Sequence, residues 1–113
     1  MQHSEFNDIF EERVNMCRDT LVIKAAEYAT DDRLHNFKVA GAVQGITPQA
    51  ALGGMLAKHV VSIFDLIRSA KPVSQTVWDE KLGDALNYLF LLNALVSEEE
   101  TLTKATTARI ANA

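Results

Sequence analysis

Apolar residues recur every three or four positions over three long stretches of this chain, the spacing of one face of an α-helix. In the first stretch Phe6, Ile9, Phe10, Val14, Cys17, Leu21 and Tyr28 fall on one stripe. The pattern predicts a helix that starts at Ser4, an N-capping residue type, and stops at the Thr30-Asp31-Asp32 cluster. The second stretch is framed by Thr47 as N-cap and Pro48 at the first helical position, and it runs to about Ser69 before Lys71-Pro72 ends it. Gly53-Gly54 weaken its second turn by about 1 kcal/mol each relative to Ala. They either admit another backbone or are simply tolerated. The third stretch starts near Ser74 or Thr76, where Thr76-Val77-Trp78-Asp79 has capping-box spacing with Asp in the place of Glu. It continues through Leu82, Leu86, Leu89, Phe90, Leu92, Leu95 and Val96. Its second half is apolar almost all round, as expected of a central helix or of one covered by a second subunit.

Between the first two helices lies a connector from Asp31 to Ile46, with a short helix expected over Leu34 to Gln44 and Gly45 as its left-handed cap. From Ser97 the chain turns polar and rich in Thr and Ala, which predicts a frayed helix or a loosely packed tail over 98–113. The expectation is therefore an all-α domain over 1–97. Its short loops imply an antiparallel bundle of three long helices plus a connector helix.

Composition narrows the class. A chain of 113 residues holds one domain, and 48% hydrophobic with 23% charged residues is the balance of a globular protein rather than a disordered one. Five Gly and two Pro are too few for an all-β fold with many tight turns. The net charge of −4 gives no general attraction to phosphate backbones, so a nucleic-acid partner is not expected. The single cysteine, Cys17, fits a reducing cytoplasm and an inert packing role. The acidic N-terminus is unlike a signal peptide, and no stretch reads as the roughly 20 consecutive apolar residues of a membrane span. No membrane partner is expected.

The informative positions are those where polar residues interrupt apolar faces. Lys24, Glu27 and Asp31 share a face of the first helix; Lys58, Ser62 and Asp65 share one of the second, with His59 beside them. Glu80, Asp84 and Asn87 share a face of the third. A bundle that turns these faces together would gather carboxylates, a Lys, a His and an Asn in one cleft. Each position also has a plainer reading. Lys24 with Glu27 suits a solvated surface pair. Glu80 suits the positive end of its helix. Lys58 suits a snorkelling lysine, and His59 a half-buried structural histidine. Asp84 resists such a reading, because an unpaired carboxylate buried on an apolar helix costs several kcal/mol and needs a cation or donor partner. Asn87 repeats that argument more weakly. Converging carboxylates suit a hard divalent cation, which takes one or a few of them together with substrate phosphates and water.

Glu80-Lys81-Leu82-Gly83-Asp84-Ala85-Leu86-Asn87-Tyr88-Leu89 resembles the last helix of the all-α nucleoside triphosphate pyrophosphohydrolases, the MazG-like superfamily. Lys24-Ala25-Ala26-Glu27-Tyr28-Ala29, Asn36-Phe37 and Met55-Leu56-Ala57-Lys58-His59 resemble further segments of small, mostly phage or prophage, members. In order and spacing the resemblance covers roughly Leu21 to Val96. Two features depart from the superfamily pattern. Glu80 and Asp84 stand four apart rather than three, and the preceding E-x-x-E pair is missing, with His59-Val60-Val61-Ser62 in its place.

The resemblance implies hydrolysis of an NTP or dNTP to a monophosphate and pyrophosphate, in the cytoplasm, or the host cytoplasm for a phage protein. It implies Mg²⁺, with Mn²⁺ as a substitute, on Glu80 and Asp84. Glu27 or Asp65 would orient water and Lys58 would offset charge, while Lys24, Asn36, His59 and Asn87 would contact the nucleotide. The apolar third helix implies a homo-dimer or dimer of dimers. The alternative is a non-catalytic helical accessory protein that binds a partner protein or sequesters a nucleotide, which the missing E-x-x-E favours.

Overall fold

The computed structural model describes residues 1–23, 25 and 30–113. Those residues form four α-helices and no strand: α1 (His3–Arg18), α2 (His35–Gln44), α3 (Pro48–Arg68) and α4 (Gln75–Ala111). The all-helical class is as expected. The first helix differs from its expected course to Thr30. It keeps α-geometry only to Arg18 and passes into a five-residue π-helix, Asp19–Ile23. That segment contains the β-branched residues Thr20, Val22 and Ile23, which lose side-chain freedom against the preceding turn of an α-helix. Lys24, Glu27 and Tyr28 lie outside the described residues.

The helix ends follow local chemistry, with two corrections. Gln2 rather than Ser4 precedes the first helical residue, and the Glu5 carboxylate accepts from the Gln2 N–H at 3.1 Å. Of the two starts expected for α4, Ser74 is the cap, its hydroxyl accepting from the Val77 N–H at 3.4 Å, so the capping box expected from Thr76 does not form. With Ser74 as the cap, Asp79 is the fifth helical residue, beyond the N3 place of a capping box, and its carboxylate accepts instead from Arg13 and Gln75. Thr47 and Pro48 open α3 as expected, with the Thr47 hydroxyl accepting from the Ala50 N–H at 3.1 Å. Gly45 caps α2 at φ +69°, a conformation that L side chains resist. Gly41 is required for a different reason: a Cβ there would stand 2.8 Å from the Ile46 carbonyl oxygen and 3.0 Å from the Pro48 nitrogen. That absence of a side chain lets α2 fold back tightly on the start of α3. Among the described residues nothing outside its own helix backbone lies within 4 Å of where a Cβ would stand at Gly53 or Gly54.

α3 and α4 pair antiparallel. Gln49 donates to Glu99 at 2.6 Å near one end, and His59 stacks on Tyr88 at 5.0 Å between ring centroids further along. α2 lies across the same end. There Leu34, Phe37, Leu52 and Leu95 form the buried cluster, with Met55, Leu56, Tyr88, Leu91 and Leu92 packed around it. Lys38 ties α2 to both sides, donating to Asp32 at 2.7 Å and to Glu98 at 2.6 Å. The Lys38 ammonium and the Leu34 N–H hold the Asp32 carboxyl below the usual carboxylate range, and the two carboxylates raise the lysine in return.

α3 corrects the sequence reading in one respect. By length and composition this 21-residue helix is apolar enough to cross a membrane. Its charged Lys58 and Asp65 break any continuous apolar run, which is why counting consecutive residues missed it. In the fold it packs on α2 and α4.

α4 runs 37 residues, about 55 Å at 1.5 Å per residue, and sets the 61 Å long axis of the molecule. The polar C-terminal stretch is thus a continuation of the helix. Residues 101–113 are all exposed, and the hydroxyls of Thr101, Thr106 and Thr107 bond back to carbonyls one turn earlier. The two groups of glycines give opposite tests. Gly41→Ala should lower stability by roughly 1–3 kcal/mol through a backbone clash, whereas Gly53→Ala should raise it by about 0.5–1 kcal/mol. Urea midpoints of the two variants check both signs.

Candidate functional site

α4 places three kinds of residue on three sides. One side carries the core residues Ala85, Tyr88, Leu92 and Leu95. A second carries Leu82, Leu86 and Leu89. The third carries Asp79, Glu80, Gly83, Asp84 and Asn87 toward α1 and its π-helix. α1 is fixed there by Arg13, whose guanidinium donates to the Asp79 carboxylate at 2.7 Å and to the Asp79 carbonyl oxygen at 3.1 Å. The side chain crosses directly over Gly83, where a Cβ would meet it at 3.3 Å. Both ion-pair partners are half-buried, so this clamp is screened less than a fully exposed pair.

Two clefts open from this arrangement and meet. The first, about 340 Å³, is lined by Arg13, Thr20, Thr76, Glu80, Asp84 and Asn87, with Cys17 at its floor among others. Its character is that of carboxylates and hydroxyls. The second, about 300 Å³, is lined by Asn36, Phe37, Met55, Tyr88 and Leu91, with Thr20, Leu21 and Arg33 closing its rim. Its lining mixes the aromatic and apolar Phe37, Met55, Tyr88 and Leu91 with polar Thr20, Arg33, Asn36, Asp84 and Asn87. Thr20, Asp84 and Asn87 line both. The π-helix therefore supplies a residue to the junction, a feature that no periodicity in the sequence signals. π-Helical turns of this kind cluster at functional sites.

The junction is chemically unfinished. The Asn87 Oδ1 is buried and accepts no hydrogen bond among the described residues, a state that costs about 1–3 kcal/mol. Asp84 departs from its expected burial: its side chain is 43% exposed, and it faces the His59 Nδ1 at 3.7 Å. It is a cleft carboxylate, and among the described residues it is not the partner of a buried cation. His59 in turn is braced by the Tyr88 ring, tilted at 31°. Burial pushes the Cys17 thiol up, against a smaller opposing pull from Arg13, in keeping with an inert packing role.

Of the residues singled out from the sequence, Glu80, Asp84 and Asn87 line the first cleft, Asn36, Asp84 and Asn87 line the second, and His59 faces Asp84. Lys58 and Asp65 are exposed on α3 and line neither cleft. Lys24 and Glu27 lie outside the described residues. Thr20, Arg13, Phe37 and Tyr88 were not singled out as site residues. Among the described residues no group of three or more His, Cys, Asp and Glu side chains gathers as a metal cage. The donor set that does share a cleft, Glu80 with Asp84, is two hard carboxylates on one helix face. That fits Mg²⁺, which usually keeps water and substrate oxygens in its remaining positions, and does not fit a structural zinc.

Compared with family models, with curated proteins and with solved structures, the chain matches none. The functional reading therefore rests on the residues and their arrangement.

If the Asn87 oxygen is an orphan kept for a ligand, Asn87→Leu should stabilise the free protein by roughly 1–3 kcal/mol, since an apolar group of similar volume replaces an unpaired acceptor. A lowered melting temperature in this variant would instead mean that the amide is satisfied within the fold.

Proposed function

We propose that this chain is a Mg²⁺-dependent nucleoside triphosphate pyrophosphohydrolase, converting an NTP or dNTP to a monophosphate and pyrophosphate. The observation that carries the reading is the meeting of two unlike clefts at Asp84 and Asn87. One offers oxygen ligands and hydroxyls, the other the aromatic side chains Phe37 and Tyr88 together with the amides of Asn36 and Asn87 and the Arg33 guanidinium. A nucleotide has the same two-part character, a highly charged phosphate chain joined to a flat ring with donors and acceptors. The resemblance of the Glu80–Leu89 segment to the MazG-like superfamily points the same way.

In this reading Glu80 and Asp84 hold the Mg²⁺, with Mn²⁺ as a substitute. The cation, when bound, supplies charge neutralisation and polarisation of the phosphates. The protein's own residues do the positioning. His59, braced between Asp84 and Tyr88, contacts the phosphate chain beside the metal carboxylates. Asn87 offers its unpaired oxygen to a donor on the sugar or base, and Asn36 reads the ring edge while Phe37 and Tyr88 flank it. The Arg13 clamp is already occupied by Asp79, so it serves to hold α1 against the cleft rather than to bind substrate. Lys58 and Asp65, as exposed residues outside both clefts, are left without a role in the free monomer. Of the residues considered for orienting water, Glu27 is the one this reading retains.

The test is pyrophosphate release from a panel of NTPs and dNTPs with Mg²⁺ or Mn²⁺. The wild type should release it and Asp84→Asn should not. Because Asp84 has no buried cation to strand among the described residues, the metal-free melting temperature of Asp84→Asn should stay level or rise. Mg²⁺ should raise the melting temperature of the wild type and leave the variant unmoved. Loss of roughly 3–5 kcal/mol in Asp84→Asn would instead make Asp84 a structural partner. Nucleotide binding without pyrophosphate release would favour the sequestering alternative.

A further inference from the structure

The chain is far from closed on itself. It exposes 8490 Å², where a compact protein of 12.5 kDa exposes about 6,200 Å². Its radius of gyration is 17.9 Å, against about 13 Å for a compact chain of this length. The protruding end of α4 accounts for part of that surplus, but part of it is apolar and lies along the middle of α4. Leu82, Leu86, Leu89, Asn93 and Val96 stand at alternating spacings of four and three, the a and d positions of a heptad seam. Leu89 is 48% exposed, Val96 51% and, flanking the seam, Phe90 51%. A groove of about 270 Å³ runs between Leu86, Leu89, Phe90 and Asn93. The seam is bounded at both ends by occupied polar residues. Asp79, its next position upstream, is held by Arg13, and Glu100, its next position downstream, is paired with Lys104 at 2.9 Å.

We infer that this seam is the docking face for a second copy of the same chain, with the two α4 helices parallel and in register. The single polar residue decides the occupant. Asn93 sits at an a position among apolar neighbours, and its amide makes no hydrogen bond among the described residues. A lipid surface would leave that amide unsatisfied in hydrocarbon. A parallel copy brings Asn93 against its own counterpart, where each amide can both donate and accept, while Leu82, Leu86, Leu89 and Val96 meet their own counterparts. An antiparallel copy centred on Leu89 sets Asn93 against Leu86 and leaves both amides unpaired. One centred on Asn93 sets Leu86 against Glu100. A buried Asn at one a position fixes register and a two-stranded state in this way. The excess surface, about 2,300 Å², is more than the roughly 800 Å² that a standard interface hides on each partner. This inference does not depend on the hydrolase reading, because the seam lies on the side of α4 that neither cleft uses.

Sedimentation velocity of the whole chain from 1 to 100 µM is the test. The expected species is twice 12.5 kDa. Leu89→Glu, an exposed position whose change leaves the core intact, should weaken association roughly 100-fold or more by placing two carboxylates across the seam. Far-UV circular dichroism should show unchanged helix. In a Cys17→Ser background, Asn93→Cys should form an intermolecular disulfide under mild oxidation, because facing a positions in a parallel pair bring the two thiols within bonding range. A monomer throughout the range would overturn the proposal. So would a dimer that survives Leu89→Glu, which would move the interface to the exposed Phe6, Ile9 and Phe10 of α1 or to Val60, Phe64 and Ile67 of α3. A dimer in which Asn93→Cys does not cross-link would overturn the parallel register.

Discussion

The antiparallel seating of α3 on α4 is the constraint on which the remaining structure depends. It sets Leu52 beside Leu95 in the core and, two turns along, His59 beside Tyr88 and Asp84. Because the side chains of a helix repeat every 3.6 residues, fixing one face of α4 against α3 fixes the direction of its other two. One then has to carry Glu80, Asp84 and Asn87 toward α1, and the other has to carry Leu82, Leu86, Leu89 and Asn93 outward. Core, cleft and exposed seam are consequences of a single register.

The cleft side depends on a second contact. α1 reaches α4 through the Arg13–Asp79 clamp, and this is why two carboxylates on one helix become the wall of a cleft rather than a solvated stripe. Asp79 illustrates how tertiary structure redirects a local signal. Its spacing from Thr76 suits a capping box, yet the helix starts directly after Ser74, which leaves Asp79 past the N3 place and its carboxylate bound to the Arg13 guanidinium.

The helices were legible wherever local chemistry decides them. Thr47-Pro48 and Gly45 announced the start of α3 and the end of α2, and both stand in the structure as read. Asp84 and Asn87 stood out because polar groups on an apolar helix need an explanation, and the structure places both where the two clefts meet. What the sequence could not show was set by contacts distant along the chain. The π-helix that brings Thr20 to both clefts carries no periodic signature of its own. The exclusion of Lys58 and Asp65 from the clefts follows from the rotation of α3 about its axis, which the 3.6-residue repeat alone leaves undetermined. Asp84 itself was expected to be buried, since its neighbours Leu82 and Leu86 are apolar. Those neighbours face outward on a different side, and Asp84 opens into the cleft.

The central claim is that Asp84 and Asn87 join a metal-and-phosphate end to a ring-binding end. Amide NMR of the protein, titrated first with Mg²⁺ and then with a non-hydrolysable nucleoside triphosphate, tests it most directly. The account predicts that Mg²⁺ moves resonances around Glu80 and Asp84. The nucleotide should then move Asn36, Phe37, Asn87 and Tyr88 as well, leaving residues 101–113 unshifted. Shifts confined to surfaces outside the two clefts, or none at saturating nucleotide and Mg²⁺, would contradict it.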